Sequence, residues 1–430
     1  MSAQGLGLPV PSEEGGAGPP VLPGAGGAAG EPVGAAERPV ETVLLAERCA
    51  RAALTRAAEP GDVRLGRLLA EQGAQWVYGA LREGRPLPGV GERRLSTWRA
   101  RIEEARPEEE LAEVAALGGR FLCPGDREWP VQLDDLGEAR PVGLWVRGRC
   151  SLRFAALRSA AVVGARACSG YGLQVAAQLS AELADRGWCV TSGAAFGVDG
   201  AAHRGVLGAE GLTIGVLACG VDRAYPASNG ELIARIAERG VLVAELPLGA
   251  HPTRSRFLER NRLIAALTRG TVVVEAQVRS GSLVTARRAA ELGRYVMGVP
   301  GPVTSQLSAG VHRLLREEGE LVTSAAEVIE LIGDIGELAP RQEGAVLPRD
   351  LLHPRCREVL EALPARTAVT ALSLSRRLRM VEVEVRARLL ELGTLGFVER
   401  QGGHWQLTRA CEDHQRVTER SLNCGDSVKW

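Results

Sequence analysis

Lysine is almost missing from this chain. Lys429 is the only one among 52 Lys and Arg. A P-loop requires Gly-x-x-x-x-Gly-Lys-Ser/Thr, so a P-loop ATPase is excluded. Surplus charge is missing too. The 52 cations meet 52 Asp and Glu, so bulk charge gives no sign of a nucleic-acid partner. No apolar run reaches the roughly 18 residues of a membrane span, and the N-terminus lacks a basic-then-apolar signal pattern. The expectation is a cytoplasmic protein with no membrane contact. The nine cysteines lack paired metal spacing; Cys411 and His414 lie close, but no second pair joins them. Cys168, Cys189 and Cys219 fall in or beside apolar runs and read as packed thiols of a reducing compartment. Aromatics make up only 4%, so each of the five Phe is worth locating.

What is present is arginine and a long chain. The 430 residues, 45% apolar, suffice for two to four domains with real cores. The Ala, Gly and Pro load suggests a GC-rich genome as the source of the Arg bias. Even so, a guanidinium holds a phosphate in two-point geometry better than an ammonium does.

Residues 1–40 are Gly, Pro and Ala with few large apolar side chains, and read as a disordered leader. From Thr42 to about Arg106 apolar residues recur at helical spacing, giving a small helical domain over 41–110. Its turn Leu87-Pro-Gly-Val-Gly91 is either an ordinary helix connection or a backbone cradle for a DNA phosphate. Gly118–Gly148 reads as a connector adding edge strands. The central domain, 111–334, alternates apolar runs with helical patterns, from Ala160–Val163 to a last parallel strand at Tyr295–Val299. Strands apolar on both faces predict an α/β fold: a Rossmann-like, doubly wound, mostly parallel sheet. Residues 335–349 read as a linker. Within 350–410, three helical patterns precede two strands around Gln401-Gly-Gly403, predicting a winged helix. Residues 411–430 read as a tail.

Each motif that could carry chemistry follows a predicted strand. Gly164-Ala-Arg-Ala-Cys-Ser-Gly-Tyr-Gly172 lacks Gly-x-Gly-x-x-Gly, so a dinucleotide site is unsupported. With Arg166 it is either a phosphate receptor or a plain strand-to-helix turn. Ser192 and Gly193 end the next strand and could give an amide and a hydroxyl to an anion. Asp199 reads as a helix cap, or with His203 as a structural pair rather than a general base. Between His251 and Arg288 stand eight Arg against two Glu. Arg254, Arg256, Arg260 and Arg262 surround Phe257 there. Cations to track a backbone and a ring to stack on a base are what an unpaired strand requires. Ser280-Gly-Ser282 opens a helix near Glu275, where serines cap and amides face an anion. All these motifs fall at the carboxyl edge of one predicted sheet, the place where such folds bind ligands.

The series Val-Gly-Ala-Arg, Ser192-Gly, Gly-Val-Asp-x-x-Ala-His203, Cys219-Gly-Val-Asp-Arg-x-Tyr-Pro226, Phe257-Leu-x-Arg-Asn-Arg, Ser280-Gly-Ser-Leu-Val-Thr and Val299-Pro-Gly301 resembles the DNA processing protein A (DprA/Smf) family. The resemblance runs from about Gly118 to Leu331. It implies a homodimer that binds single-stranded DNA, without sequence choice and without a nucleotide cofactor, and passes it to RecA in natural transformation. Single-strand-binding protein is a candidate partner. Matched motifs assign phosphate contact to Arg166, Arg260 and Arg262 and a base contact to Phe257. Gly164, Ser192, Gly193, Ser280, Gly281 and Ser282 would line the groove, and Arg256 and Asn261 complete the expected site. Ala165, Phe196 and Leu258 stand where the family commonly has Ser or Thr, Arg, and Pro.

No catalytic or metal residue is expected. One alternative is a nucleotide phosphoribohydrolase using Glu275, although the Pro-Gly-Gly-x-Gly-Thr loop of those enzymes is absent. The other is a winged-helix regulator, although Glu382, Glu384 and Glu391 interrupt Arg386 and Arg388 on its third helix.

Overall fold

A computed structural model describes residues 37–408, apart from 318, 338, 340–347 and 366. Most of the leader and the whole 411–430 tail lie outside the described residues. The first helix, α1 (Glu37–Ala57), starts earlier than expected, so residues 37–40 belong to it and not to a leader. It is followed by α2 (Val63–Gln72), α3 (Ala74–Arg82), α4 (Glu92–Glu103) and α5 (Pro107–Ala116). Local chemistry explains the starts. Asp62 caps α2 by accepting from the amides of Arg64 and Leu65 at 3.0 and 3.2 Å. Pro107 opens α5 with three Glu in its first turn, where the helix dipole favours anions. Leu54, Leu65, Val77, Leu81, Leu95 and Trp98 bury the shared core of these helices.

Next come β1 (Gly119–Leu122), β2 (Leu144–Arg147) and α6 (Leu152–Leu157), then the repeating part. Its elements are β3 (Ser159–Val163), α7 (Gly170–Asp185), β4 (Cys189–Ser192), α8 (Val198–Gly208), β5 (Thr213–Val216), α9 (Gly230–Arg239), β6 (Val241–Ala244), α10 (Arg254–Leu267), β7 (Gly270–Val273), α11 (Ser282–Glu291) and β8 (Tyr295–Gly298). It closes with α12 (Ala309–Glu317), β9 (Glu320–Leu321) and α13 (Ala325–Ile332). One nine-stranded sheet results, in the order β1-β2-β6-β5-β4-β3-β7-β8-β9. The seven strands from β3 onward are parallel. β1 and β2 run antiparallel at one edge, as the connector reading expected.

Side chains of β3 alternate between two cores, Ala160 and Val162 in one, Ala161 and Val163 in the other. Both faces are covered, which is why the strands read as unbroken apolar runs. β8 is not the last parallel strand: β9 adds to it, with Met297 opposite Glu320. Two residues, one of them Glu, are too few to produce a periodic signal. From β3 the chain winds outward to β6, then returns to place β7 on β3's other side. The gap between the carboxyl ends of β3 and β7 is therefore the topological switch point.

A second compact unit begins at Pro340. It contains α14 (Pro354–Glu361), β10 (Val369–Thr370), α15 (Ala371–Leu378), α16 (Glu382–Thr394), β11 (Val398–Gln401) and β12 (His404–Leu407). Its sheet order is β10-β12-β11. The second of the three helical patterns in the sequence runs from Ala368 to Leu378. Instead Val369 and Thr370 pair with Trp405 and His404, and Thr370 then caps α15. Cys356, Val359, Leu374, Val385, Leu389 and Trp405 form the core.

Candidate nucleic-acid interface

The loop after β3 is built around a buried carboxylate. Glu275, just past β7, accepts from the Ser169 amide at 2.8 Å and from its hydroxyl at 2.6 Å. Ser169 in turn caps α7 through the Gly172 amide. A Cβ on Gly172 would lie 2.3 Å from a Glu275 oxygen, so only glycine admits this carboxylate. The Ala165 amide also donates to the Glu275 carbonyl at 2.7 Å. The loop is thus fixed on both sides of Arg166, which projects into solvent at the switch point.

α10 crosses in front of that loop, capped by Thr253, whose hydroxyl accepts from the Arg256 amide at 3.3 Å. The helix presents Phe257, Arg260 and Asn261 to one side. The Arg166 guanidinium lies 4.5 Å from the centre of the Phe257 ring, and that of Arg260 lies 5.9 Å away. Asn261 donates to the Gly281 carbonyl at 3.2 Å, joining α10 to the start of α11. Gly281 is the N-cap of α11 and offers no side-chain acceptor; Ser280 takes that part, its hydroxyl accepting from the Ser282 amide at 3.4 Å and its carbonyl from the Leu283 amide at 3.2 Å, so the positive end of the helix lies at the groove behind these serines. Beside it the hydroxyls of Ser280 and Ser282 are 2.8 Å apart. Gly164, Arg166, Phe257, Arg260, Asn261, Ser280, Gly281 and Ser282 all line one cleft of about 320 Å³. Arg166, Phe257, Leu258, Ser280 and Gly281 are shared with an adjoining groove, lined further by Tyr225, Arg254 and Arg279.

Beneath the cleft lies a buried charge pair. Arg260 is 5% exposed and donates to the Val216 carbonyl at 2.6 Å. Burial lowers its pKa to about 10, with Asp199 opposing the shift, so it stays cationic at neutral pH. Asp199 accepts from the Gly193 amide at 3.2 Å, and burial raises its pKa against the pull of Arg260. Asp199 neither caps α8 nor pairs with His203. The imidazole instead donates from Nδ1 to the Thr213 hydroxyl at 2.7 Å, because that hydroxyl's own proton goes to the Val190 carbonyl.

The match to known proteins is specific. The family model for DNA recombination-mediator protein A matches residues 120–333. A Mycobacterium tuberculosis protein named as a DNA processing protein DprA is 44% identical over 367 residues, covering 83% of this chain and 93% of that one. The chain belongs to the DprA/Smf family. Protein Smf of Escherichia coli is 37% identical over 312 residues, covering 69% of this chain and 79% of its own. The X-ray structure of DprA from Streptococcus pneumoniae superposes with a TM-score of 0.56 at 29% identity, covering 66% of this chain and 96% of that one.

Four expected residues of this DprA-family site lie elsewhere. Ser192 is fully buried, and its hydroxyl donates to the Val162 carbonyl at 2.7 Å, inside the sheet. Gly193 is also buried; a Cβ there would meet the Arg260 guanidinium at 1.8 Å, so it makes room for that side chain and does not face the cleft. Arg262 is 3% exposed and pairs with Glu245 at 2.5 Å. Arg256 makes two bonds to Glu59, at 2.8 and 3.0 Å, ahead of α2. By contrast Arg166, Arg254 and Arg279 are exposed, and none forms an ion pair or hydrogen bond among the described residues. Arg279 and Tyr225 had no assigned role in the sequence reading, and Arg254 was only one of a cluster. Of the departures from the family pattern, Ala165 is buried, whereas Phe196 and Leu258 are 49% and 44% exposed.

Proposed function

We propose that this chain binds single-stranded DNA without sequence preference, as a homodimer, and delivers it to RecA. One observation carries the reading. Three guanidiniums without ion pairs, a half-buried aromatic ring and the serine hydroxyls at a helix start share one continuous groove at the sheet's switch point. Cations placed to follow a sugar-phosphate backbone, with a ring offered to a base, suit an unpaired strand.

Two features favour binding over the alternatives. Both Glu275 oxygens are engaged by Ser169 and the carboxylate is buried, a poor disposition for cleaving an N-glycosidic bond. In the second unit, which we read as a winged helix, Arg386 and Arg388 are held by Glu382 and Glu391 at 2.6 and 2.7 Å. That leaves little net charge on α16 for duplex DNA.

The test is an anisotropy titration with labelled oligo-dT. Three phosphate contacts on a single strand give a log–log salt slope of about −2, so affinity should fall roughly 20-fold between about 50 and 200 mM salt. A flat salt response would refute the groove reading. RecA filament assembly on strands coated with single-strand-binding protein should accelerate when the protein is added; an unchanged rate would remove the delivery role.

A further inference from the structure

The adjoining groove has its own aromatic, one that no part of the reading above uses. Tyr225 follows the loop after β5 and is 45% exposed. Its ring centre lies 5.6 Å from that of Phe257, with the planes 49° apart. Its hydroxyl makes no hydrogen bond among the described residues. Pro226, beside it, is buried and fixes the backbone. An exposed ring with no polar partner, held at one angle against a second ring, is an apolar face kept open at some cost in hydration. The walls around it are Pro252, Thr253, Arg254, Arg279 and Val284. Arg279 is exposed and carries no compensating carboxylate.

The cleft and this groove meet at Phe257. Arg166 and Arg260 already cover part of the Phe257 ring, which limits that ring to one base. The second groove continues the first past Phe257, and Tyr225 lines it. We propose that Tyr225 and Arg279 form a second nucleotide subsite, distinct from the Phe257 cleft. There the tyrosine ring stacks on the base next to the one held at Phe257, and Arg279 holds the intervening or following phosphate. The ligand class is an unpaired dinucleotide step, DNA or RNA. This subsite rests on the single-strand reading above.

The subsite separates by chemistry from its neighbour. Tyr225→Ala should weaken oligo-dT binding roughly tenfold, as loss of one base stack does. The salt slope should stay unchanged, since no phosphate contact is lost. Tyr225→Phe should bind like the parent. Arg279→Ala should instead flatten the slope by about one contact. A strand of abasic sites should bind the parent and Tyr225→Ala equally, because no base is left to stack; a loss on that strand too would show that the variant disturbs the groove itself. Photocrosslinking with 5-iododeoxyuridine stepped along the strand should label Phe257 and Tyr225 from adjacent positions. Crosslinks confined to Phe257, with Tyr225→Ala matching the parent, overturn the second subsite and leave the main groove standing. If the parent itself fails to bind oligo-dT, it is the single-strand reading that falls.

Discussion

Arginines that read alike in the sequence have opposite fates, and their partners decide which. Arg262 sits against Glu245 with both side chains nearly inaccessible. Arg262→Ala would strand a buried carboxylate and should cost about 3–5 kcal/mol of stability, visible in urea denaturation, with the salt slope of strand binding unchanged. Arg166→Ala should do the reverse: little change in stability, weaker binding of every sequence, and a slope shallower by about one contact. Equal slopes for Arg166→Ala and the parent would take that residue out of the groove. His203 gives a pH signature. Burial pushes its pKa from 6.5 down to about 3. The unfolded chain therefore takes up a proton near 6.5 that the folded chain refuses until near 3. Stability is full above that window and falls through it, by about 1.4 kcal/mol per pH unit. Urea midpoints at pH 7 and pH 5.5 should show the decline, and His203→Gln should flatten it; an equal decline in that variant would assign it to other groups.

At the scale of elements, the first turn of α10 is the part most exposed to perturbation. Thr253 alone caps it, and Phe257 begins the next turn. Thr253→Ala should cost about 1 kcal/mol and loosen Phe257, weakening oligo-dT binding, whereas Thr253→Ser should restore it. Binding that survives the Ala variant intact would mean the ring is held by its neighbours and not by the cap. The same helix shows what sequence could and could not tell. Its existence was legible, because Leu263, Ile264 and Leu267 recur at helical spacing before a β-branched run. The apolar pattern itself begins only at Phe257, because all four preceding residues, Thr253 to Arg256, are polar or charged and only the cap geometry marks Thr253. Arg256 and Arg262 looked like phosphate ligands because a helix sequence does not reveal what lies opposite each face. Glu59 is 197 residues away along the chain. Ser192 misled for a related reason: the last residue of a strand can face either its loop or the sheet, and here it bonds back to β3. Phe257, Arg166 and the Ser280–Ser282 turn were legible because each follows a strand of one parallel sheet, and the winding rule brings such ends together.

Taken whole, the described residues fall into two compact units that divide after Ala339, and every groove residue belongs to the first. A fragment ending at Ala339 should therefore bind oligo-dT as the full chain does, in the same anisotropy titration. A fragment weakened more than about tenfold would move part of the binding surface to the second unit. The alternating order from β3 to β8 was readable, whereas the short helices α6, α12 and α13 and the strands β9 and β10 were not. Strands of two residues exist only through their pairing partners, which a linear pattern does not contain. The scarcity of lysine has a chemical consequence for the groove. Amine-directed acylation, whether by a cellular acetyltransferase or a laboratory succinimidyl ester, has no side-chain target among Arg166, Arg254 and Arg279 and cannot discharge them. A dicarbonyl such as phenylglyoxal can. It should modify those three before it reaches Arg262 behind Glu245, so the order of labelling would map the phosphate track without a single substitution.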